Sequence, residues 1–180
     1  MRVITGTARG RTLETLPGAD VRPTVSRVKE AVFSIIQFEL EGRRVLDMFG
    51  GSGQMAIEAL SRGAASATIL DSSRRAVDVI RRNLATTKLA DRAVVLETDA
   101  LTFVRNSRNT FDVAFLDPPY GKDLLPKALD VLAPHMAQGG VIVCESPFAE
   151  TLPGQVGAYR LYRDYRYGKT KITVYRDTDL

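Results

Sequence analysis

Short apolar runs alternate with amphipathic stretches through the middle of the chain. Five runs have the length and the apolar content of buried strands: RRVLDM, ATILD, AVVLET, FDVAFLD and GVIVCES. Four segments between them carry apolar residues at helical spacing: QMAIEALSR, SRRAVDVIRRNLATT, ALTFVRNS and LLPKALDVLAPHMA. Strand and helix that alternate over residues 43–146 predict βαβ units. We therefore expect an α/β fold, with a mostly parallel sheet and helices on both of its faces.

The two ends of the chain follow other patterns. VRPTVSRVKEAVFSIIQFEL carries an apolar stripe near the 3.6-residue period and predicts a helix. AYRLYRDYRYGKTKITVYR alternates around a Tyr-Gly-Lys turn and predicts an antiparallel hairpin at one edge of the sheet, and RVITGTARGRTLE predicts a smaller hairpin. The expected architecture is a single domain over residues 1–180, with an N-terminal extension over 1–40 and a seven-stranded core over 41–180.

Composition narrows the class of protein. The chain has 180 residues, of which 44% are hydrophobic and 26% charged, as in an ordinary folded domain. No apolar run approaches the roughly 18 residues of a membrane span, and the first residues do not resemble a signal peptide. One cysteine (Cys144) and one histidine (His135) argue against a disulfide framework and a cysteine-rich metal site. We therefore expect a cytoplasmic protein that binds no metal and no membrane.

Charge is distributed unevenly along the chain. The net charge is +4, and residues 159–176 hold six basic side chains against Asp164 alone. Residues 1–30 are also basic, whereas the long middle part is close to neutral. Two basic ends are typical of a protein that holds a polyanion, although a solvated surface explains the charge pattern about equally well.

A glycine turn and three acids fall where predicted strands end. The turn is Gly50-Gly51-Ser52-Gly53, just after Asp47, and Asp71 and Asp99 close the next two strands. In open α/β sheets, ligands bind at the carboxyl ends of the strands, where an acid beyond a glycine turn can hold a ribose. A single acid at a strand end is more often a helix N-cap. Three in succession beside a glycine turn favour a nucleoside site.

The fourth strand ends in Asp117-Pro118-Pro119-Tyr120. The two prolines restrict the backbone, so the Asp117 carboxylate and the Pro118 carbonyl are two acceptors with little freedom. Two fixed acceptors can receive both hydrogens of a planar –NH₂ group and orient its nitrogen toward an electrophile. Tyr120 can stack on the ring that bears the amine. A rigid turn is the simpler interpretation of two prolines alone, but it does not account for the acid beside a nucleoside site.

The order of these motifs resembles the S-adenosylmethionine-dependent amino-methyltransferases of the Rossmann-like class. The match is more specific in R-P-T-x-x-R-V-K-E-A-x-F (residues 22–33), G-S-G (51–53), E-A-L-S-R-G-A (58–64) and D-P-P-Y (117–120). Over nearly the whole chain these motifs are similar to the bacterial family that methylates guanine N2 in small-subunit (16S) ribosomal RNA, often called RsmD. The resemblance implies a class I methyltransferase fold, S-adenosylmethionine as cofactor and 16S RNA or the 30S particle as partner.

Carried over by position, the resemblance also implies roles for individual residues. The cofactor is expected on Asp47, Phe49, Gly51, Gly53, Asp71, Asp99 and Ala100. The catalytic segment is expected to be Asp117, Pro118, Pro119 and Tyr120. Arg22, Thr24 and Arg27 are expected to close over the site or contact RNA, and Tyr120 to hold the target base. Independently of the resemblance, tyrosines that alternate with Arg163 and Arg166 in the C-terminal hairpin suit RNA binding, although sheet-edge packing explains this pattern equally well. Gly50 departs from the family pattern, in which alanine is common, and we expect this only to loosen the turn.

Other functions remain open at this stage. The D-P-P-Y motif also serves adenine-N6 methylation in DNA, although no segment of the chain is large enough for an added DNA-recognition domain. Protein glutamine methylation fits less well, because that branch prefers asparagine at position 117. A non-catalytic nucleic-acid-binding module is a further alternative, which the intact glycine turn and Asp117 argue against. We expect a monomer, because no long apolar surface helix is left without a role.

Overall fold

The computed structural model describes residues 1–18, 23–119 and 123–178, with the side chains of Pro23 and Thr24 excepted. In these residues five α-helices surround one sheet. The helices are α1 (Pro23–Ile35), α2 (Gln54–Ser61), α3 (Arg74–Thr87), α4 (Ala100–Asn106) and α5 (Leu124–Leu132). The strands are β1 (Arg44–Asp47), β2 (Ser66–Asp71), β3 (Ala93–Glu97), β4 (Phe111–Leu116), β5 (Met136–Pro147), β6 (Gln155–Val156), β7 (Tyr159–Tyr167) and β8 (Thr170–Asp177). Within the same ranges no helix has the length and apolarity to cross a membrane.

The sheet has the strand order β3-β2-β1-β4-β5-β8-β7-β6. The first five of these strands pair in parallel, whereas β8 pairs antiparallel with both β5 and β7. The chain therefore places β2 and β3 on one side of β1, and then β4 and β5 on the other side of β1. A crevice opens where the strand order reverses in this way, at the carboxyl ends of β1 and β4.

Alternate residues of each central strand pack on opposite faces of the sheet. Val45 belongs to a core that includes Phe33 of α1, while its neighbour Leu46 packs with Leu129 of α5 on the other face. Helices α1 and α2 and the N-terminal segment cover the first face, and α4 and α5 cover the second. The predicted α/β fold, with helices on both faces and a C-terminal hairpin, is confirmed.

Several predicted boundaries were wrong. Over the described part of the chain the sheet has eight strands rather than seven, because Gln155–Val156 pairs with the start of β7 at the edge. Two residues carry no periodicity that a sequence pattern can reveal. Helix α1 ends at Ile35, before the predicted end at Leu40. The N-terminal hairpin is reduced to one antiparallel bridge between Arg2 and Thr12.

A buried ionic cluster fastens the N-terminal segment to the core. Glu58 of α2 is fully buried and accepts hydrogen bonds from the backbone N–H groups of Ile4 (2.8 Å) and Thr5 (3.0 Å). Its carboxylate also pairs with Lys29 of α1 at 3.3 Å and with Arg62 at 2.9 Å. Lys29 and Glu58 are part of the sequence motifs that carry the family resemblance. Parts of those motifs therefore build the scaffold rather than the site.

Candidate active site

A cavity of about 740 Å³ lies at the carboxyl ends of the parallel strands. Cavities of this size suit a cofactor or another small molecule. Nine residues of the predicted site line it: Asp47, Phe49, Gly51, Asp71, Asp99, Ala100, Asp117, Pro118 and Pro119. Most of the predicted cofactor residues and the described part of the D-P-P-Y motif therefore face one common space.

The glycine turn after β1 is held by the acid that ends β2. Gly51 donates its backbone N–H to Oδ2 of Asp71 at 2.9 Å, and Ser73 donates its own to Oδ1 at 2.9 Å. Gly51 has a φ of +60°, which favours glycine, and a Cβ there would meet no atom within 4 Å. The open space beside Gly51 belongs to the cavity. Asp71 thus positions the turn, in addition to any contact with a ligand.

Two further glycines of the turn pack closely against other residues, although Gly50 also lines the cavity. A Cβ on Gly50 would lie 2.6 Å from Cγ2 of Ile69 and 3.0 Å from Cδ1 of Ile80. The expectation that Gly50 only loosens the turn misses this close approach between the turn and the two isoleucines. Gly53 has a φ of +82° and is buried beside Ile80, outside the cavity lining.

Asp47 is a buried acid whose carboxylate has an unused acceptor. Its residue surface is 2% exposed, and its Oδ2 has no hydrogen-bond partner within the described structure. Burial raises the pKa of Asp47 to about 7, the backbone N–H of Phe49 opposes this shift, and the charge of Asp71 adds to it. Gln54, which also lines the cavity, holds a second buried acceptor without a partner, Oε1. This end of the cavity suits a ligand group that carries hydrogen-bond donors and positive charge.

Asp99 caps a helix, which the sequence analysis left open as the common role of an acid at a strand end. It is the N-cap of α4, and its Oδ2 accepts hydrogen bonds from the backbone N–H (2.9 Å) and the hydroxyl (2.8 Å) of Thr102. These bonds, the backbone one first, lower the pKa of Asp99. The neighbouring Ala100 is buried in the cavity wall.

Asp117 lies beside a second acid that the sequence analysis missed. The register of β4 and β5 pairs Leu116 with Cys144, so that Asp117 and Glu145 are the next residues of two adjacent strands. Each carboxyl group affects the pKa of the other, and both residues line the cavity. The one signal in the sequence is an acid inside the apolar run GVIVCES, a run whose pattern predicts only a strand.

The pKa values of Asp117 and Glu145 are both raised. Burial, the charge of Glu145 and the charge of Asp47 raise the pKa of Asp117 well above its ordinary range. Burial also raises the pKa of Glu145, while its hydrogen bond to Asp117 acts in the opposite direction. The Asp117 residue is nonetheless exposed, because it opens onto the cavity. A ligand that fills the cavity would therefore meet two neighbouring acids whose pKa values are both raised.

The N-terminal extension supplies part of the cavity wall. Thr15 and Leu16 line the cavity together with Val32 of α1. Asn83 of α3 fixes this segment: its Nδ2 donates to the carbonyls of Glu14 and Ser52, both at 2.9 Å. The same side chain thus joins the extension to the glycine turn.

The predicted RNA-binding residues are more scattered. Arg27 is exposed on α1, and Arg163 and Arg166 are exposed on β7; none of the three lines the cavity. The guanidinium of Arg166 lies 3.9 Å from the ring centroid of Phe148, next to the turn between β7 and β8. The predictions for Arg22, Tyr120 and the Thr24 side chain fall outside the described residues.

Comparison with known proteins adds evidence from the whole chain. A family model described as Conserved hypothetical protein 95 matches residues 1–176. The chain is 36% identical to YlbH of Bacillus subtilis over 98% of both proteins. It is 32% identical to ribosomal RNA small subunit methyltransferase D of Escherichia coli K12, over 98% of this chain and 89% of that protein.

The fold of the chain also resembles that of a solved structure. The Escherichia coli protein yhhF superposes with a TM-score of 0.86 at 32% identity, over 98% of this chain and 97% of that one. Together with the match of the family model, these similarities confirm the resemblance that the motifs predicted. The chain is a Rossmann-like protein that belongs to the family of ribosomal RNA small subunit methyltransferase D, RsmD.

Proposed function

We propose that this protein transfers a methyl group from S-adenosylmethionine to the exocyclic N2 amine of a guanine in 16S ribosomal RNA. The observation that carries the proposal is the position of Asp117 and Pro118, which end β4 beside a cavity lined by the glycine turn. The membership of the family and the name of the Escherichia coli relative support ribosomal RNA as the substrate.

The cavity residues fit the cofactor. Asp47 and Gln54 offer buried acceptors that lack partners, and these suit the positively charged methionine end. Asp71, beside Gly51, would accept from the ribose hydroxyls, and Ala100, next to Asp99, would lie against the adenine. When bound, S-adenosylmethionine supplies a methyl group on a positively charged sulfur, and the sulfur keeps the electron pair of the bond that breaks.

Asp117 and Pro118 would hold the amine. Their oxygens accept the two N2 hydrogens, which points the nitrogen lone pair into the cavity. Pro118 is buried, so water does not compete well for its carbonyl. As the new N–C bond forms, the nitrogen becomes positive and must lose one hydrogen as a proton. Asp117 receives that proton when its carboxylate is ionised, and its raised pKa makes that carboxylate a stronger base than an ordinary aspartate.

The base must leave its pairing partner to reach the cavity. An amine inside a duplex is out of reach of Asp117, so the guanine is taken from a loop or flipped out of its pair. Tyr120 would stack on the flipped base. Arg22, Thr24, Arg27, Arg163 and Arg166 would contact the RNA backbone around the cavity. Because these positive charges are few, we propose that the substrate is the assembled 30S particle, bound by a monomer in the cytoplasm.

Labelled S-adenosylmethionine tests the proposal on three substrates: purified 30S particles, protein-free 16S RNA and duplex DNA. The wild type is compared with Asp117→Ala and with the control Asp91→Ala, which removes an exposed acid. The modified nucleoside is then identified by mass spectrometry. We expect N2-methylguanine in particle RNA with the wild type and the control, and a loss of at least about 100-fold with Asp117→Ala.

The other outcomes separate the remaining functions. Label in DNA adenine would keep the role of Asp117 but overturn the substrate. Equal turnover on protein-free 16S RNA would overturn the proposed need for the assembled particle. Cofactor binding without transfer to any of the three substrates would contradict methylation of 16S RNA by this protein.

A further inference from the structure

Glu145 occupies an unusual position for a carboxylate. It lies on β5, half-buried, and pairs across the strands with Ile172 of β8. Its neighbours on β5, Cys144 and Ser146, are buried as well. Within the described residues no lysine or arginine forms an ion pair with Glu145, whereas the buried Glu58 has two. An acid placed this way costs stability unless a donor meets it.

Across the strand pair, the neighbour of Glu145 is another acid, Asp117, rather than a cation. The two residues follow the paired positions Leu116 and Cys144, and the charge of Glu145 contributes to the raised pKa of Asp117. Both face the cavity at the position where the proposed amine would be held. A ligand with several adjacent N–H groups would satisfy both carboxylates.

Guanine has several adjacent N–H donors, whereas adenine and cytosine, the other bases with an amino group, do not. Its Watson–Crick edge presents the two N2 hydrogens and, directly beside them, N1–H. Adenine and cytosine place an unprotonated ring nitrogen next to the amine, with its lone pair facing outward. Asp117 and the Pro118 carbonyl accept hydrogens from any of these amines, so those two groups alone do not select guanine. A second carboxylate next to them repels the ring lone pair of adenine or cytosine.

We propose that Glu145 is a specificity-determining residue, which accepts the N1–H of the target guanine and thereby rejects bases that lack this hydrogen. The inference rests on the proposed function, because it names how the same site selects its base. It assigns the two acids different tasks: Asp117 holds the amine that reacts, and Glu145 recognises the ring position beside it.

The test uses 2-aminopurine, which has the same 2-amino group as guanine but lacks O6 and has a lone pair in place of N1–H. The change in preference between the wild type and the Glu145 variants, rather than the preference of the wild type alone, therefore reports on the N1 position. Once the modified guanine has been located, 16S RNA is assembled by ligation with guanine or 2-aminopurine at that position and reconstituted into 30S particles. The ratio of kcat/KM for guanine to kcat/KM for 2-aminopurine is measured for each variant. Binding of guanosine and 2-aminopurine riboside to protein saturated with S-adenosylhomocysteine gives a second readout that is independent of turnover.

The wild type should prefer guanine by about 10- to 100-fold, the range for one hydrogen bond to a charged partner. Glu145→Gln should bring the ratio down to about 1 or below, because its amide N–H can donate to the ring lone pair of 2-aminopurine. Glu145→Asp keeps a carboxylate, so it should retain a preference for guanine at a lower rate. Ser146→Ala, a buried neighbour that does not line the cavity, should leave the ratio unchanged.

One result overturns the inference: Glu145→Gln lowers turnover on both bases equally and leaves the ratio as in the wild type. Glu145 would then have only a structural role. If Glu145→Gln is poorly folded, the ratio measured for Glu145→Asp is used instead. A folded Glu145→Asp that no longer prefers guanine over 2-aminopurine would also overturn the inference. Failure of the proposed function is distinct, because the wild type itself would then modify no guanine in 16S RNA.

Discussion

Gly51 donates its backbone N–H to Oδ2 of Asp71 at 2.9 Å, which joins the turn after β1 to the end of β2. The other carboxylate oxygen accepts from Ser73 at the start of α3. One side chain therefore positions the glycine turn and the adjoining helix. An acid at this point contributes to the shape of the cavity before any ligand is bound.

Replacement of Asp71 should weaken cofactor binding. Asp71→Ala removes both the support of Gly51 and the proposed acceptor for the ribose, so we expect the Kd of S-adenosylhomocysteine to rise by about 10- to 100-fold. Asp71→Asn keeps one acceptor and should have a smaller effect. Isothermal titration calorimetry measures both, with Asp91→Ala as the control. A Kd for Asp71→Ala equal to that of the wild type would show that the turn does not depend on this acid.

The buried acid Asp47 should make stability depend on pH. Its folded pKa of about 7 lies above the unfolded value of 3.8, so the folded state keeps a proton that the unfolded state loses. The contribution of Asp47 to stability is therefore fully present below pH 4 and is lost as the pH rises through 7. This difference in pKa corresponds to roughly 4 kcal/mol.

Asp47→Asn, which carries no charge at any pH, isolates this contribution. The free energy of unfolding of the variant relative to the wild type should increase between pH 4 and pH 8 by a few kcal/mol, on the order of the difference above. Urea unfolding of the unliganded proteins at several pH values measures it. Because the charge of Asp47 also raises the pKa of Asp117, the difference between the two proteins includes this coupling. A difference that does not change with pH would mean that Asp47 is ionised in the fold throughout.

The cluster around Glu58 should be a main support of the N-terminal segment. Glu58→Gln leaves Lys29 without its ion pair in a buried site, and we expect a loss of about 3–5 kcal/mol in the free energy of unfolding. The matched control is Arg74→Ala, which breaks an exposed i,i+4 pair with Asp78 and should cost less than about 1 kcal/mol. Urea unfolding measures both variants. Similar losses for the two would contradict a special role for the buried cluster.

Some of the site could be predicted from sequence because it depends on local order. Strand ends were visible as apolar runs that stop at an acid, and parallel strands bring those ends together. Asp47, Asp71 and Asp117 were found this way, and all three line the cavity. Glu145 was not found, because its strand continues to Pro147 and the acid marks no boundary. Its position beside Asp117 follows from the pairing register, which a single sequence pattern does not reveal.

The packing of Gly50 was also invisible in the sequence, because it depends on contacts with another strand and a helix. Gly50→Ala should destabilise this protein by about 1–3 kcal/mol, since the new methyl group meets Ile69 and Ile80. Gly154 is the matched control: a Cβ there meets nothing within 4 Å, and its φ is ordinary. Gly154→Ala should be neutral or stabilise by up to about 1 kcal/mol. Thermal unfolding of both variants checks this, and an unchanged Gly50→Ala would mean that Ile69 moves aside freely.

The C-terminal hairpin places its basic residues at different distances from the cavity. Strand β8 runs antiparallel to β5 and starts opposite Pro147, so the turn between β7 and β8 lies at the same edge of the sheet as the cavity. Arg166 is next to this turn, whereas Arg160 pairs with Arg176 toward the opposite edge. Arg166 also stacks on Phe148, three residues beyond Glu145.

Arg166→Ala should therefore weaken binding of the 30S particle more than Arg160→Ala, although each removes one positive charge. We expect about a 3- to 10-fold rise in KM for Arg166→Ala, and a slope of log K against log salt that is smaller by about one. Arg166→Lys keeps the charge but loses the flat contact with Phe148, so a partial effect would assign the remainder to stacking. Equal effects at positions 160 and 166 would mean that the hairpin acts through its total charge, and that its orientation toward the cavity does not matter.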